Sequence, residues 1–191
     1  MALNNMLFKE KTKHSGEIEI KIIRNGKAKL IWQEYRFLHY IRKHFGVNFP
    51  KLFGITGYLT RKAVYSNLLV TTGKGLISGR INGVGTPAAP TYMAIGTGTN
   101  AAAAGDTALQ TEATGNGYDR MSGTASTETT DTADDTNQLI GSWIVTSSKA
   151  ITEMGILNAA SVGTLLVRNV FSAYTLQNGD TFQITHKLKH A

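Results

Sequence analysis

Thr181-Phe182-Gln183-Ile184-Thr185-His186-Lys187-Leu188 alternates between two kinds of side chain along its whole length. Successive side chains of a β-strand point to opposite faces. Phe182, Ile184, His186 and Leu188 therefore share one face, and Thr181, Gln183, Thr185 and Lys187 share the other, as in an antiparallel sheet with one side on a core and one side wet. Asn178-Gly179-Asp180, just before it, is turn sequence. His186 falls on the apolar face, where a histidine reads as a core residue before it reads as a ligand.

Outward from this strand, short apolar or alternating runs predict further strands over residues 91–95, 118–123, 139–146, 150–157 and 164–171. No βαβ alternation separates them. The expected fold is mainly β with a minor α part: an antiparallel β-sandwich or jelly roll in the C-terminal half. Gly155, inside Met154-Gly155-Ile156, marks a bulge or a close backbone approach. The polar run 124–137 holds too little apolar surface to order itself and reads as a solvated loop.

The N-terminal half is different in kind. Residues 17–23 and 27–32 flank Arg24-Asn25-Gly26, and Asn-Gly favours the type I′ turn of a β-hairpin. Residues 33–44 read as a helix ended by Gly46 and Pro50, and 51–66 match no element. Thr71 or Thr72 can cap a short helix carrying Leu76, Ile77 and Ile81 and ending at Asn82-Gly83. Gly85-Thr86-Pro87-Ala88-Ala89-Pro90 is a turn-rich break, giving a basic docking region over 1–89 and a β-sandwich domain over 90–191. Charge divides at the same place: residues 1–91 hold fifteen Lys/Arg against four Asp/Glu, residues 92–191 five against nine, within a formal net charge of +7.

Tyr92-Met93-Ala94-Ile95-Gly96-Thr97-Gly98-Thr99-Asn100, the alanines 101–104 and Gly105-Asp106-Thr107-Ala108-Leu109-Gln110-Thr111-Glu112 form a strand that runs into small, turn-forming residues. With Asn67-Leu68-Leu69-Val70-Thr71-Thr72-Gly73-Lys74-Gly75-Leu76-Ile77, Ile81-Asn82-Gly83 and Ile151-Thr152-Glu153-Met154-Gly155-Ile156-Leu157-Asn158, this stretch resembles structural proteins of tailed-phage virions over roughly residues 65–191. The resemblance implies a virion subunit made in the host cytoplasm. The expected role is a capsid decoration or cement protein, whose basic arm bridges neighbouring capsomers; a tail, fibre or adaptor subunit is the alternative. In the second case the loops at 100–117 and 124–137 are candidates for receptor or carbohydrate contact. Homo-oligomerisation, with a trimer as one form, would cover the strand edges.

Aromatic and basic residues interleave over 33–53, and Tyr35, Phe37, Arg42, Lys43, Phe45, Phe49 and Lys51 are the candidate docking residues toward other virion proteins. The same pattern fits a helix with a basic outer side, and a third reading has it stack on nucleic acid. No catalytic residue, cofactor or metal site is expected. Zero cysteines exclude thiolate catalysis and thiolate metal sites. His186 and His190 stand about 13 Å apart on a strand, too far for one ion. Gly73-Lys74-Gly75 and Gly96-Thr97-Gly98 lack the phosphate-loop and dinucleotide spacings, the acidic run at Glu128, Asp131, Asp134 and Asp135 lacks the calcium-loop spacing, and no G-x-S-x-G occurs. No stretch fits a secretory leader or a transmembrane helix.

Overall fold

The computed structural model of the chain describes residues 16–24, 59–63 and 68–190. Its strands are β1 (Gly16–Arg24), β2 (Leu59–Ala63), β3 (Leu68–Leu69), β4 (Tyr92–Gly96), β5 (Met121–Ser122), β6 (Thr124–Glu128), β7 (Thr136–Ile144), β8 (Lys149–Leu157), β9 (Leu165–Leu176) and β10 (Asp180–Lys189), with a helix α1 (Thr71–Asn82). They form two five-stranded sheets, ordered β2-β1-β10-β7-β6 and β3-β9-β8-β4-β5. Every pairing is antiparallel. The two sheets share one apolar core, so the fold is a β-sandwich.

β10 shows why. Burial alternates along its full length, with Phe182, Ile184, His186 and Leu188 turned inward. Its neighbours present matching residues: Ile184 lies opposite Ile20 of β1 and Gly141 of β7, and Phe182 opposite Ile22 and Trp143. From the facing sheet come Met93, Ile95, Met154 and Ile156, all nearly inaccessible. Each such side chain contributes about 1.5–3 kcal/mol by leaving water. Trp143, Phe182, Tyr174 and Phe171 form a chain of ring contacts with centroids 5.6–6.2 Å apart. Gly141 makes room for it, because a Cβ there would stand 2.8 Å from both Met93 Sδ and the Trp143 ring.

The second sheet is covered on its other face as well. Val70, Ala94, Leu109, Leu157 and Leu165 form a separate apolar cluster. Over it lie the loop that follows β4 and helix α1, joined by the hydrogen bond from Thr71 N–H to Ala104 O, 2.8 Å. A sheet buried on both faces accounts for the near-continuous apolar runs of β8 and β9, where alternation is lost. Gly73 sets α1 directly on β9: a Cβ there would meet the Leu166 backbone, 2.8 Å from its Cα.

Several expectations change. β1 forms as expected, but its neighbours are β10 and β2, and Ile18–Ile22 pairs with Leu59–Ala63. The Lys27-to-Trp32 half of the expected hairpin, the 33–44 helix and all seven candidate docking residues lie outside the described residues. β1, β2, β3 and α1 come from the N-terminal side of 89/90, and β1 lies between β2 and β10 in its sheet. The run 124–137 is loop only in its middle: its ends are β6 and the start of β7, a hairpin in register from Thr124↔Ile140 to Glu128↔Thr136. Only Met121–Ser122 of the 118–123 run is strand. At α1 the N-cap is Val70 rather than either threonine, and the Thr72 hydroxyl instead donates to Leu165 O at 3.1 Å. The helix ends as expected, on a left-handed Gly83 with φ 67°. Gly155 is a close-approach site, its absent Cβ giving space to the Leu109 and Leu165 side chains, while the β8–β9 register shifts fall on either side of it, between Ile151 and Glu153 and between Ile156 and Leu157.

Candidate functional site

β4 ends at Gly96, which pairs with Glu153 in the middle of β8. Glu153 is wholly buried on the face that carries the loop. Its Oε1 accepts from Gly98 N–H at 2.9 Å and Thr111 N–H at 2.8 Å, and its Oε2 accepts from Gln110 N–H at 3.1 Å and Arg168 Nε at 2.8 Å. Arg168, also buried, reaches on to Asp106 Oδ2 at 2.9 Å and Asn100 O at 3.1 Å. One carboxylate and one guanidinium thus pin both ends of a loop from Gly98 to Thr111 onto the sheet.

This anchoring explains Gly96-Thr97-Gly98. A Cβ at Gly96 would lie 2.6 Å from Glu153 Oε1, and one at Gly98 would lie 2.7 Å from its Cδ, so the glycines admit a carboxylate. Burial pushes the Asp106 carboxyl up, but the Ala103 N–H and Arg168 outweigh it and hold it below its ordinary value. Partial burial pulls the Arg168 guanidinium down, and hydrogen bonds and charge from Asp106 and Glu153 outweigh that and raise it. With four donors on its two oxygens, Glu153 positions the loop. Sequence reasoning missed Glu153, Arg168 and Asp106. The available signal was a lone acid in the apolar run of β8 and a lone base in that of β9.

A second clamp serves the β8–β9 turn. Arg120 grips Glu112 through two bonds, Nε to Oε1 at 2.9 Å and Nη2 to Oε2 at 2.7 Å, and gives Nη1 to the carbonyls of Ala159 (3.0 Å) and Val162 (2.8 Å). Val162 is held at φ 56° and is 88% exposed, a β-branched residue in a left-handed conformation at a loop tip.

Between the sheets a cavity of ≈ 400 Å³ opens beside β6. Leu139, Ile156, Leu166 and Leu188 give it apolar walls, Ala125 to Thr127 border it, and His186 lines it. Burial pushes the His186 imidazole down to about 4, so it is neutral at ordinary pH. Its Nε2 has no hydrogen-bond partner among the described residues. His190 is separate and exposed, with Nε2 2.9 Å from Asn137 Nδ2.

The acidic residues of the β6–β7 hairpin are engaged in the turn. The Asp135 carboxylate accepts from the N–H groups of Asp131, Thr132 and Thr130, which hold it well below the usual carboxylate range. Asp131 pairs with Lys189, and Glu128 with Lys187 at 3.6 Å. Among the described residues no three His, Asp or Glu side chains are grouped to hold a metal ion, and no helix is long and apolar enough to cross a membrane.

The family model described as "Podophage GP4 fiber I protein gp80" matches residues 73–188. The chain belongs to this family. It is a structural protein of a tailed-phage virion, of fibre type. The match runs from the first turn of α1 to Leu188 in β10, spanning both clamps and the cavity, and leaves β1, β2 and β3 outside. As a virion component it interacts with other virion proteins. No curated protein matches the chain.

Proposed function

We propose that the chain is a non-enzymatic fibre subunit: its sandwich is a rigid carrier for contact loops, and its basic N-terminal half docks it to the particle. The family match over 73–188 carries this reading and favours a fibre placement over capsid decoration. Two features support it. The exposed stretches after β4 and between β8 and β9 are clamped by buried or half-buried ion pairs, so a contact surface is held in one shape before binding, which lowers the entropy lost on contact. The buried Glu153–Arg168 pair is consumed in that clamping. Self-association, with a trimer as one form, multiplies weak contacts by avidity.

Tyr35, Phe37, Arg42, Lys43, Phe45, Phe49 and Lys51 are proposed as the docking residues, on the strength of the charge excess in residues 1–91. The decisive experiment is quantitative mass spectrometry of purified particles. A copy number far below that of the major capsid protein supports the fibre; parity with it sinks the fibre and returns the chain to capsid decoration. Replacing Arg42→Glu and Lys43→Glu together is expected to lower incorporation into particles. Unchanged incorporation removes the docking assignment and leaves the fibre placement standing.

A further inference from the structure

The cavity beside β6 adjoins a sheet edge that no described strand covers. β6 is the last strand of its sheet, so the backbone groups on its outer edge meet no strand among the described residues. Edge strands usually carry Pro, Lys or a bulge that discourages another chain from pairing. β6 reads Thr-Ala-Ser-Thr-Glu and keeps an unbroken register with β7. Its side chains from Thr124 to Thr127 are exposed.

The cavity itself has a polar atom to satisfy. His186 is 3% exposed, lines the cavity, and leaves Nε2 without a partner. A buried polar atom with no hydrogen bond costs about 1–3 kcal/mol, and such atoms are rare enough to call for an explanation. Among the described residues no charged side chain lines the cavity, so a charged occupant would be desolvated without compensation from them. The walls suit an apolar body, and the single unmet atom asks for one polar group at its tip. A phenol hydroxyl both donates and accepts, so it satisfies Nε2 in either tautomer.

We propose that β6 and this cavity together form a docking site for an extended segment of a neighbouring virion protein, which pairs with the β6 edge and places a tyrosine side chain in the cavity against His186 Nε2. Strand addition gives such a segment its main-chain hydrogen bonds, and alternation sends one side chain inward while its neighbours face water. A cavity of ≈ 400 Å³ lies toward the small end of ligand pockets, which span about 300–1,000 Å³, and suits a single anchor. The occupant is defined by its chemistry, an extended segment with an inward tyrosine, on a fibre or on the capsid alike.

The test uses the full chain labelled with ¹³C/¹⁵N-histidine, with the His186 ring signals assigned by their loss in His186→Phe. Four probes are titrated: a capped pentapeptide with a central tyrosine flanked by threonines, its phenylalanine version, the tyrosine peptide N-methylated at alternate residues, and p-cresol. The tyrosine peptide is expected to move the His186 signals and to bind about tenfold tighter than the phenylalanine peptide, the worth of one good hydrogen bond. N-methylation is expected to weaken it by a similar factor. His186→Phe, which removes only a buried polar ring, is expected to keep the fold and to abolish the preference for tyrosine. If p-cresol binds as well as the peptide and N-methylation changes nothing, the cavity is a small-molecule site and strand docking is wrong. If no probe moves the His186 signals, the proposal fails altogether.

Discussion

Four residues carry most of what is unusual here: Glu153, Arg168, His186 and Val162. Glu153 and Arg168 form a buried pair at 2.8 Å, and removing one partner of such a pair leaves an uncompensated charge. Glu153→Gln, which keeps the shape, is expected to lower stability by about 3–5 kcal/mol in urea unfolding. Glu112→Gln, at the half-exposed clamp with Arg120, should lose only about 1 kcal/mol, so equal losses would refute this ranking. His186 gives stability a pH dependence. Its folded value near 4 lies below the ordinary 6.5, so between the two the unfolded chain binds a proton that the folded chain does not. Stability is then full above about 6.5 and falls as pH drops toward 4, by about 3 kcal/mol in all. Urea midpoints measured across that window should slope for the native chain and slope clearly less for His186→Phe. Val162, at φ 56° and exposed, holds strain with little packing to lose. Val162→Asn, which tolerates that conformation, should raise stability by about 0.5–1 kcal/mol in the same assay, and no gain would mean that the Arg120 clamp absorbs the strain.

At the scale of elements, α1 offers a direct contest between propensity and packing. Alanine is the better helix former by about 1 kcal/mol, yet a Cβ at position 73 has the Leu166 backbone in its way. Gly73→Ala is expected to destabilise by about 1–3 kcal/mol, whereas Gly75→Ala, whose Cβ meets nothing within 4 Å, should be neutral or stabilising; thermal melts of the pair decide the point. The elements also show what the sequence could reveal. β10 was legible because one face is dry and the other wet, which writes a period of two into the residue types. β6 was not legible, because an exposed edge strand of Thr, Ala and Ser needs no apolar face and looks like loop. β2 was hidden for a related reason: its strand state is set by pairing with Ile18–Ile22, more than thirty positions away in the chain. The loop anchor was legible only as two glycines, since Glu153 gains its meaning from partners at 98, 110, 111 and 168 that no local pattern brings together.

At the scale of the whole molecule, the described residues form one sandwich fed from both sides of the break at 85–90, and β1 is integral to it. Ile18, Ile20 and Ile22 are core residues, and β1 separates β10 from β2. A chain starting at residue 25 is therefore expected to lose its cooperative thermal transition and to aggregate, even though the family match begins at 73. A sharp melt and a monodisperse elution profile from that truncated chain would show that the matched part folds without β1. The pairing of Gly16–Arg24 with Asp180–Leu188 also sets a clock on synthesis. At about 5–20 residues per second the ribosome needs roughly ten seconds or more after finishing β1 before β10 emerges. Through that interval three isoleucines wait without their partner strand, a natural place for a host chaperone to hold the nascent chain. The sandwich closes only once β10 has left the exit tunnel, so whatever depends on the finished core waits for that strand.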